Sequence, residues 1–554
     1  MNVRRSAALL VSLLSAMVLL GVTAPAALAH AALLRTTPGD SEILQTGPSE
    51  VTLTFGESVG IGLGQLKVLN ADGGRVDEGA PRQTAGGTVV HIPVKSGIPD
   101  GSYVVVWRVV SADSHPVSGA FTFSVGAPSV DSKKLLGKGN LTDINAAPRA
   151  PGIVLGVTRF LGFSALVVLL GGAVFALLLW PAGLPRLRRM LLGAAVAESL
   201  LAGLGLLLEG PYAAGEGLSK LTDSSLLSAV MDTKYGEATA TRIGVAAVAA
   251  VAVLVVGKRT SRAAAGVVAA LGLFCAMTWS AAGHAGVGRW QPWTNLFDST
   301  HLVFVSAWVG GLVVLVRGVR GMWTVEDQAA ILPGWSRLAA WSVLLLVATG
   351  VFASFREVSE LAALFSTRYG LLLVLKDALV GLMLLFALLG RSYVRQHFTH
   401  PDPEEPAGPP TEDDVAGLRR SVSIEAVLAA AVLAVTAFLV NTTPARDAFA
   451  PPYSGRSTAG PLTVQVDIYP ARKGLNGLHV YTVGDGGRTR DVAEVTGYLQ
   501  KGDEKITVEP KHKSLGHYED LSVVIPGKGT WTIDLEIRTS DVDSYETKQR
   551  FTIK

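Results

Sequence analysis

Three residues in the first quarter of the chain form a donor set that could hold a metal: His30, Asp113 and His115. Residues 1–29 carry Arg4 and Arg5, then an apolar run from Ala7 to Val22, then Ala27-Leu28-Ala29. That order is the charged region, apolar region and small-residue cleavage site of a secretory signal peptide. Pro25 breaks the helix just before the site. Cleavage after Ala29 would make His30 the first residue, with a free α-amine beside its imidazole. Asp113-Ser114-His115 follows the strand-like run Tyr103–Val110. In an extended segment residues i and i+2 point to the same side, so Asp113 and His115 can converge. With His30 they offer three nitrogens and a carboxylate oxygen. Tetragonal N,O coordination suits Cu(II), whereas Cu(I) prefers soft sulfur. Residues 30–126 contain neither Met nor Cys. A plainer reading stands beside this one, in which Asp113 caps a turn and His115 is an exposed side chain.

A second group of polar residues falls in or beside apolar segments, where ionisable side chains are costly and often functional. Glu209, His284 and His301 sit near segment ends and could accept a metal from the outer face. The two histidines could equally bond backbone or interfacial water. Arg159, Lys376 and Glu425 lie deeper, where ion pairing between helices or snorkelling accounts for them. Cys275 and Met277 could serve Cu(I), although packing or lipid contact explains such sparse sulfur. His397 and His400 form a His-x-x-His pair in a proline-containing loop and read as solvated. His91, His479 and His512 belong to no motif and read as surface residues.

The elements that must carry these residues follow from composition and patterning. The chain has 554 residues, enough for three or four domains. It is 49% hydrophobic and only 17% charged, with a mean hydropathy of +0.39. Soluble domains are about 25% charged, so a large part of this chain belongs in lipid. Residues 30–126 show short alternating runs, among them Val51–Phe55 and Thr88–Val94, with Pro, Gly and Asp between them. They predict an all-β sandwich, immunoglobulin-like or Greek-key. Residues 127–150 are polar and rich in Gly and Pro, a linker. Residues 151–441 contain eight apolar segments, near 153–180, 190–210, 238–257, 263–282, 299–316, 338–354, 370–390 and 424–441. Each approaches the ~20 residues that cross a bilayer. Arginines and lysines cluster on every second loop, from Arg186 to Arg189, at Lys258 and Arg259, at Arg317 and Arg320, and from Arg391 to Arg420. The positive-inside rule puts those loops in the cytoplasm and both termini outside a cytoplasmic membrane. A second linker, 442–460, leads to residues 461–554, which alternate again and predict a second outward β-sandwich.

Several function classes are excluded or disfavoured. A net charge of +3 does not describe a basic nucleic-acid binder. One cysteine, Cys275, rules out a disulfide framework or a Cys-based cluster site. Neither a phosphate-binding GxxxxGK[ST] run nor a dinucleotide fingerprint is present, so ATP-driven or reductase chemistry has no visible seat. No enzymatic activity is expected.

The chain resembles known families in three places. His30-Ala31-Ala32-Leu33 with Pro38, Val51 through Glu57, and Gly101 through Gly119, including Trp107 and Ser111-Ala112-Asp113-Ser114-His115-Pro116, resemble the CopC copper-binding family. The resemblance implies a Cu(II) site from His30, through amine and ring, with Asp113 and His115, and it matches Glu57 to an acidic position just behind the ligands. Ser114 stands where the family commonly has Gly, and the Met-rich segment of some members is absent. Leu208 through Tyr212, Gly283-His284-Ala285, His301 through Leu312, Tyr369-Gly370 with Lys376, and Ile424-Glu425 resemble the CopD family. The fused order resembles YcnJ-type copper uptake proteins. Pro470, Gly474, Asn476, Leu478, Gly516-His517-Tyr518 and Trp531 resemble the YtkA-like family, in which His517 falls on a motif position but could as well serve packing.

Copper uptake is the leading expectation: Cu(II) captured outside, copper passed inward across the bilayer. One alternative is a copper-resistance or storage protein that binds without transport. Another is a haem-binding or redox membrane protein using paired histidines. Expected partners are the copper ion, the lipid bilayer and an extracytoplasmic copper chaperone, with no nucleic acid.

Overall fold

The computed structural model of the chain describes residues 33–38, 42–55, 57–111, 116–126, 149–283, 291–358, 361–398, 412–449, 453–469, 471–472, 474–484, 489–502, 504–540 and 542–553. The expected signal peptide, His30, Asp113, His115, His284, His400 and residues 127–148 of the first linker lie outside these.

The described residues of the first domain form a β-sandwich of eight strands. One sheet has the order β1-β3-β6-β5 and the other β2-β8-β7-β4. The strands are β1 (Leu33–Thr37), β2 (Glu42–Leu44), β3 (Glu50–Phe55), β4 (Gly60–Asn70), β5 (Arg82–Thr84), β6 (Val89–Pro93), β7 (Gly101–Val110) and β8 (Pro116–Val125). β3 and β6 alternate buried and half-buried residues, as a one-sided sheet requires. Val51, Leu53 and Phe55 of one sheet pack with Val68, Val105, Trp107 and Phe123 of the other. β7 departs from alternation and is buried at all ten positions. Its near-continuous apolar run, Tyr103 to Val110, suits a strand covered on both faces.

Eight helices among the described residues are long and apolar enough to cross a membrane. They are α1 (Arg149–Leu178), α2 (Leu184–Ala214), α3 (Lys234–Val256), α4 (Arg262–Ala281), α5 (Gln291–Val305, continued through a π-helical turn at Ser306–Gly310 into Gly311–Arg317), α6 (Val325–Glu357), α7 (Arg368–Phe398) and α8 (Glu412–Leu439). All eight coincide with the apolar segments of the sequence. The π-helical turn falls where α1 and α5 come closest. A Cβ at Gly171 would run into the Ser306 carbonyl, and one at Gly310 into that of Val167. Only glycine permits that approach, and π turns inside α-helices often mark functional positions.

Most of the arginines read from sequence as loop residues lie on helix ends, which gather at one end of the bundle. Arg188 reaches the Leu254 carbonyl of α3, Arg391 the Ser336 carbonyl of α6, and Arg419 the Val319 carbonyl. Arg320 donates to Ser423 Oγ at 2.9 Å. Trp180, Trp323, Trp335 and Phe175 pack together at the same end.

The described residues of the third domain form a sandwich of nine strands, with sheets β14-β15-β11-β10-β9 and β13-β12-β16-β17. Its strands are β9 (Tyr453–Ala459), β10 (Leu462–Tyr469), β11 (Gly474–Val483), β12 (Glu494–Lys501), β13 (Glu504–Val508), β14 (Lys511–Ser514), β15 (His517–Ile525), β16 (Gly529–Arg538) and β17 (Ser544–Ile553). Trp531 is fully buried among Val464, Val480, Leu499 and Ile533. The domain starts earlier than the 461 boundary read from sequence, because β9 lies inside the supposed linker and pairs with β10 over seven positions. The segment 453–459 is polar and contains Gly, yet it alternates in burial and only Ala459 is fully inside. An edge strand of this kind has little apolar signal to reveal it.

Candidate metal centre

Strand register carries the segments that flank His30, Asp113 and His115 to one rim of the first domain. β1 begins at Leu33, which pairs with Phe55, the last residue of β3. Glu57 follows Phe55 in the β3–β4 connection and is half-exposed. β4 begins at Gly60, which pairs with Val110, the last residue of β7. β8 neighbours β7 and begins at Pro116, so 111–115 join adjacent strand ends. Phe55 and Trp107 tie the two sheets together below this rim, in an edge-to-face contact with centroids 5.5 Å apart. His30 lies three residues before Leu33, a reach of about 10 Å. Three nitrogens and a carboxylate brought to such a rim could chelate a divalent ion without sulfur.

The membrane candidates acquire partners across helices. Arg159 of α1 donates to Glu209 Oε2 of α2 at 3.2 Å, and both side chains are buried. The guanidinium also lies 5.6 Å from the centroid of the Tyr235 ring on α3. Glu209, expected as a transport residue, thus joins Arg159, expected as an ion-pairing one. His301 of α5 meets Thr349 of α6, Nδ1 to Oγ1 at 2.8 Å. The Thr349 hydroxyl has one proton, and the Leu345 carbonyl 2.7 Å away takes it. The hydroxyl therefore accepts from His301 Nδ1–H, which leaves the lone pair on Nε2. Glu425 is buried on α8 near Gly390 of α7. Cys275 is buried among Leu166, Leu170 and Ala246, a packing role, while Met277 is exposed on the bundle surface.

Sequence reasoning missed two arrangements. Glu198 of α2 and Arg242 of α3 are both fully buried, and both touch Trp279 of α4. The signal was available: each charge interrupts an otherwise apolar segment. The second arrangement is in the third domain, where His479 Nδ1 and His517 Nε2 lie 3.1 Å apart with Glu519 alongside. His479 and His517 are separated by 38 residues, and no spacing in the sequence joins them. His91 and His512 are likewise engaged. His91 sits between Glu50 and Thr84, and His512 Nε2 is 3.2 Å from Asp491 Oδ1.

An all-β domain, eight apolar helices and a further all-β domain define a multidomain membrane protein. Family models match in three places: the CopC domain over residues 33–126, the copper resistance protein D-like N-terminal domain over 150–290, and copper resistance protein D over 329–439. The copper transport protein CutJ of Bacillus subtilis is 26% identical over 535 residues, covering 93% of this chain and 94% of that protein. Protein YobA of Escherichia coli is 30% identical over 102 residues, which are 18% of this chain and 82% of YobA. The crystal structure of CopC from Methylosinus trichosporium OB3b is matched over 98% of its length and 18% of this chain, at 30% identity and a TM-score of 0.17. The chain belongs to the copper transport and resistance family in which CopC and CopD domains are joined in one polypeptide.

Proposed function

We propose that the first domain captures Cu(II) outside the cell and that the helical bundle passes copper inward across the cytoplasmic membrane, without enzymatic turnover. The observation that carries this reading is the convergence at one rim of the strand ends that flank His30, Glu57, Asp113 and His115. In this reading His30 ligates through its amine and ring after signal-peptide cleavage, Asp113 and His115 complete the set, and Glu57 stands behind them. Copper is cargo, delivered free or by an extracytoplasmic copper chaperone. The gathering of arginines at one end of the bundle supports a cytoplasmic assignment for that end, and with it two extracytoplasmic β-domains.

Copper accumulation by intact cells tests the proposal. Cells making the protein should take up copper that an external chelator cannot strip. The Asp113→Ala, His115→Ala variant, at equal membrane level, should fall towards cells lacking the protein. Copper that is wholly chelator-strippable would refute inward transport and leave a storage role.

A further inference from the structure

The outer face of the third domain's five-stranded sheet holds a second set of metal-ligating side chains. Cross-strand register lines up Asp467, His479 and Glu519 in one row over β10, β11 and β15, with Gln465, Tyr481 and His517 in the next. Leu478, Val480, Thr482 and Tyr518 point into the core. Alternation therefore puts His479, Tyr481, His517 and Glu519 together on the opposite face. His479 Nδ1 and His517 Nε2 are 3.1 Å apart, and Glu519 Oε2 is 3.9 Å from His479 Nδ1. All three ligand atoms lie within 4.8 Å of one another, and among the described residues this is the one such group.

The donors are positioned by their neighbours. Tyr481 stacks on the His517 ring, with centroids 4.4 Å apart and planes 12° from parallel. Lys513 Nζ holds Glu519 Oε1 at 2.9 Å, while Oε2 is the oxygen nearer the histidine pair. All three ligand side chains are partly buried, so they lose less freedom on binding than fully exposed ones would.

We propose that His479, His517 and Glu519 bind one Cu(II) ion. Two nitrogens 3.1 Å apart, each about 2.05 Å from a shared metal, subtend an angle of about 100° at it. That fits neighbouring positions of a tetragonal or tetrahedral site. A linear two-nitrogen Cu(I) site would need about 4 Å between them on the same bond length. The donor set has no sulfur, which also argues against Cu(I), and among divalent ions Cu(II) binds N,O sites more tightly than Zn(II). Without metal the two facing nitrogens share a proton. When that proton sits on the far nitrogen of its ring, both facing lone pairs become available with the strands in place. The site rests on this geometry alone and does not depend on copper capture at His30.

The test uses the full-length protein in detergent, stripped by chelator, in an Asp113→Ala, His115→Ala background. Equilibrium dialysis against Cu(II) should count a bound ion that His479→Ala with His517→Ala removes, and electron paramagnetic resonance should show nitrogen hyperfine coupling from two imidazoles. Glu519→Gln keeps the side-chain shape and should weaken Cu(II) binding at least about 10-fold. Zn(II) should compete but be displaced by Cu(II). The same Cu(II) count and spectrum in the double histidine variant would overturn the proposal, as would unchanged affinity in Glu519→Gln. Tighter binding of Zn(II) than Cu(II) would overturn the choice of metal. If the first domain itself binds no copper, restoring Asp113 and His115 adds no ion, while the loss at His479 and His517 is unchanged. The two failures are therefore separable.

Discussion

Glu198 and Arg242, both buried inside the helical bundle, share one indole. Trp279 Nε1–H donates to Glu198 Oε1 at 2.7 Å, and the Arg242 guanidinium lies 3.8 Å from the centroid of a Trp279 ring. Arg242 also donates to Thr239 Oγ1 at 2.9 Å, and Phe163 stacks on Trp279 at 4.2 Å. Three helices, α2, α3 and α4, thus meet through one side chain that offers a donor at its edge and a negative face to a cation.

Replacing Trp279 should therefore unsettle both charges. Trp279→Phe keeps an aromatic face but removes the donor to Glu198, a loss of about 1.5–3 kcal/mol for a bond to a charged group. In a double-mutant cycle followed by denaturation in detergent, Glu198→Gln should cost less in the Trp279→Phe background than in the native one. Arg242→Lys should not restore stability lost in Arg242→Ala, because an ammonium does not reproduce a stacked guanidinium. Additive effects of Trp279→Phe and Glu198→Gln would mean that the 2.7 Å contact carries no coupling energy.

The first domain should carry an acid-sensitive tie at Asp77. Partial burial pushes its carboxyl up, but Arg75 and the Val68 N–H, which donates at 3.0 Å, outweigh it and hold it below the usual carboxylate range. A carboxyl with a depressed folded-state pKa stabilises above its unfolded value, about 3.9, and that contribution is lost as pH falls through the lower folded value. Asp77→Asn should thus lower the melting temperature of the domain at pH 6, and the gap from the native protein should close as pH falls below about 4. A gap that persists unchanged at pH 3 would assign the effect to packing.

The sequence readily exposes what periodicity and composition encode. All eight helices are legible because a span of ~20 apolar residues has few other uses. The first domain is legible from Val51–Phe55 and Thr88–Val94, where alternation matches observed burial. β9 was hidden because an edge strand with only Ala459 fully inside carries almost no apolar signal. His479 and His517 were hidden for a different reason. Their proximity depends on β11 pairing with β15 in one register, Tyr481 opposite His517. Slipping that register by one residue would turn one of them into the core. The Arg159 to Glu209 pair lies between these cases, since each charge was visible in its segment but not which charge answered which.

The last prediction concerns His301, which lies inside α5, ten residues after the helix begins at Gln291. Thr349 gives its only proton to the Leu345 carbonyl and so accepts from His301 Nδ1–H. A metal needs a ring nitrogen with a lone pair, and this arrangement fixes it at Nε2. Thr349 is then a positioning residue: it sets which nitrogen is presented without touching the metal. If His301 is on the copper path, His301→Ala should lower uptake per molecule in the membrane. Thr349→Val, which keeps the side-chain volume but removes the acceptor, should lower it in the same direction by a smaller factor, on the order of 10-fold for losing a partner that orients a ligand. Thr349→Ser restores the acceptor and should recover uptake. A purely structural role would instead reduce the amount of folded protein for Thr349→Val and leave uptake per molecule unchanged. The readout is chelator-resistant copper in intact cells divided by the membrane level of each variant, and full uptake per molecule in His301→Ala would take this histidine off the path.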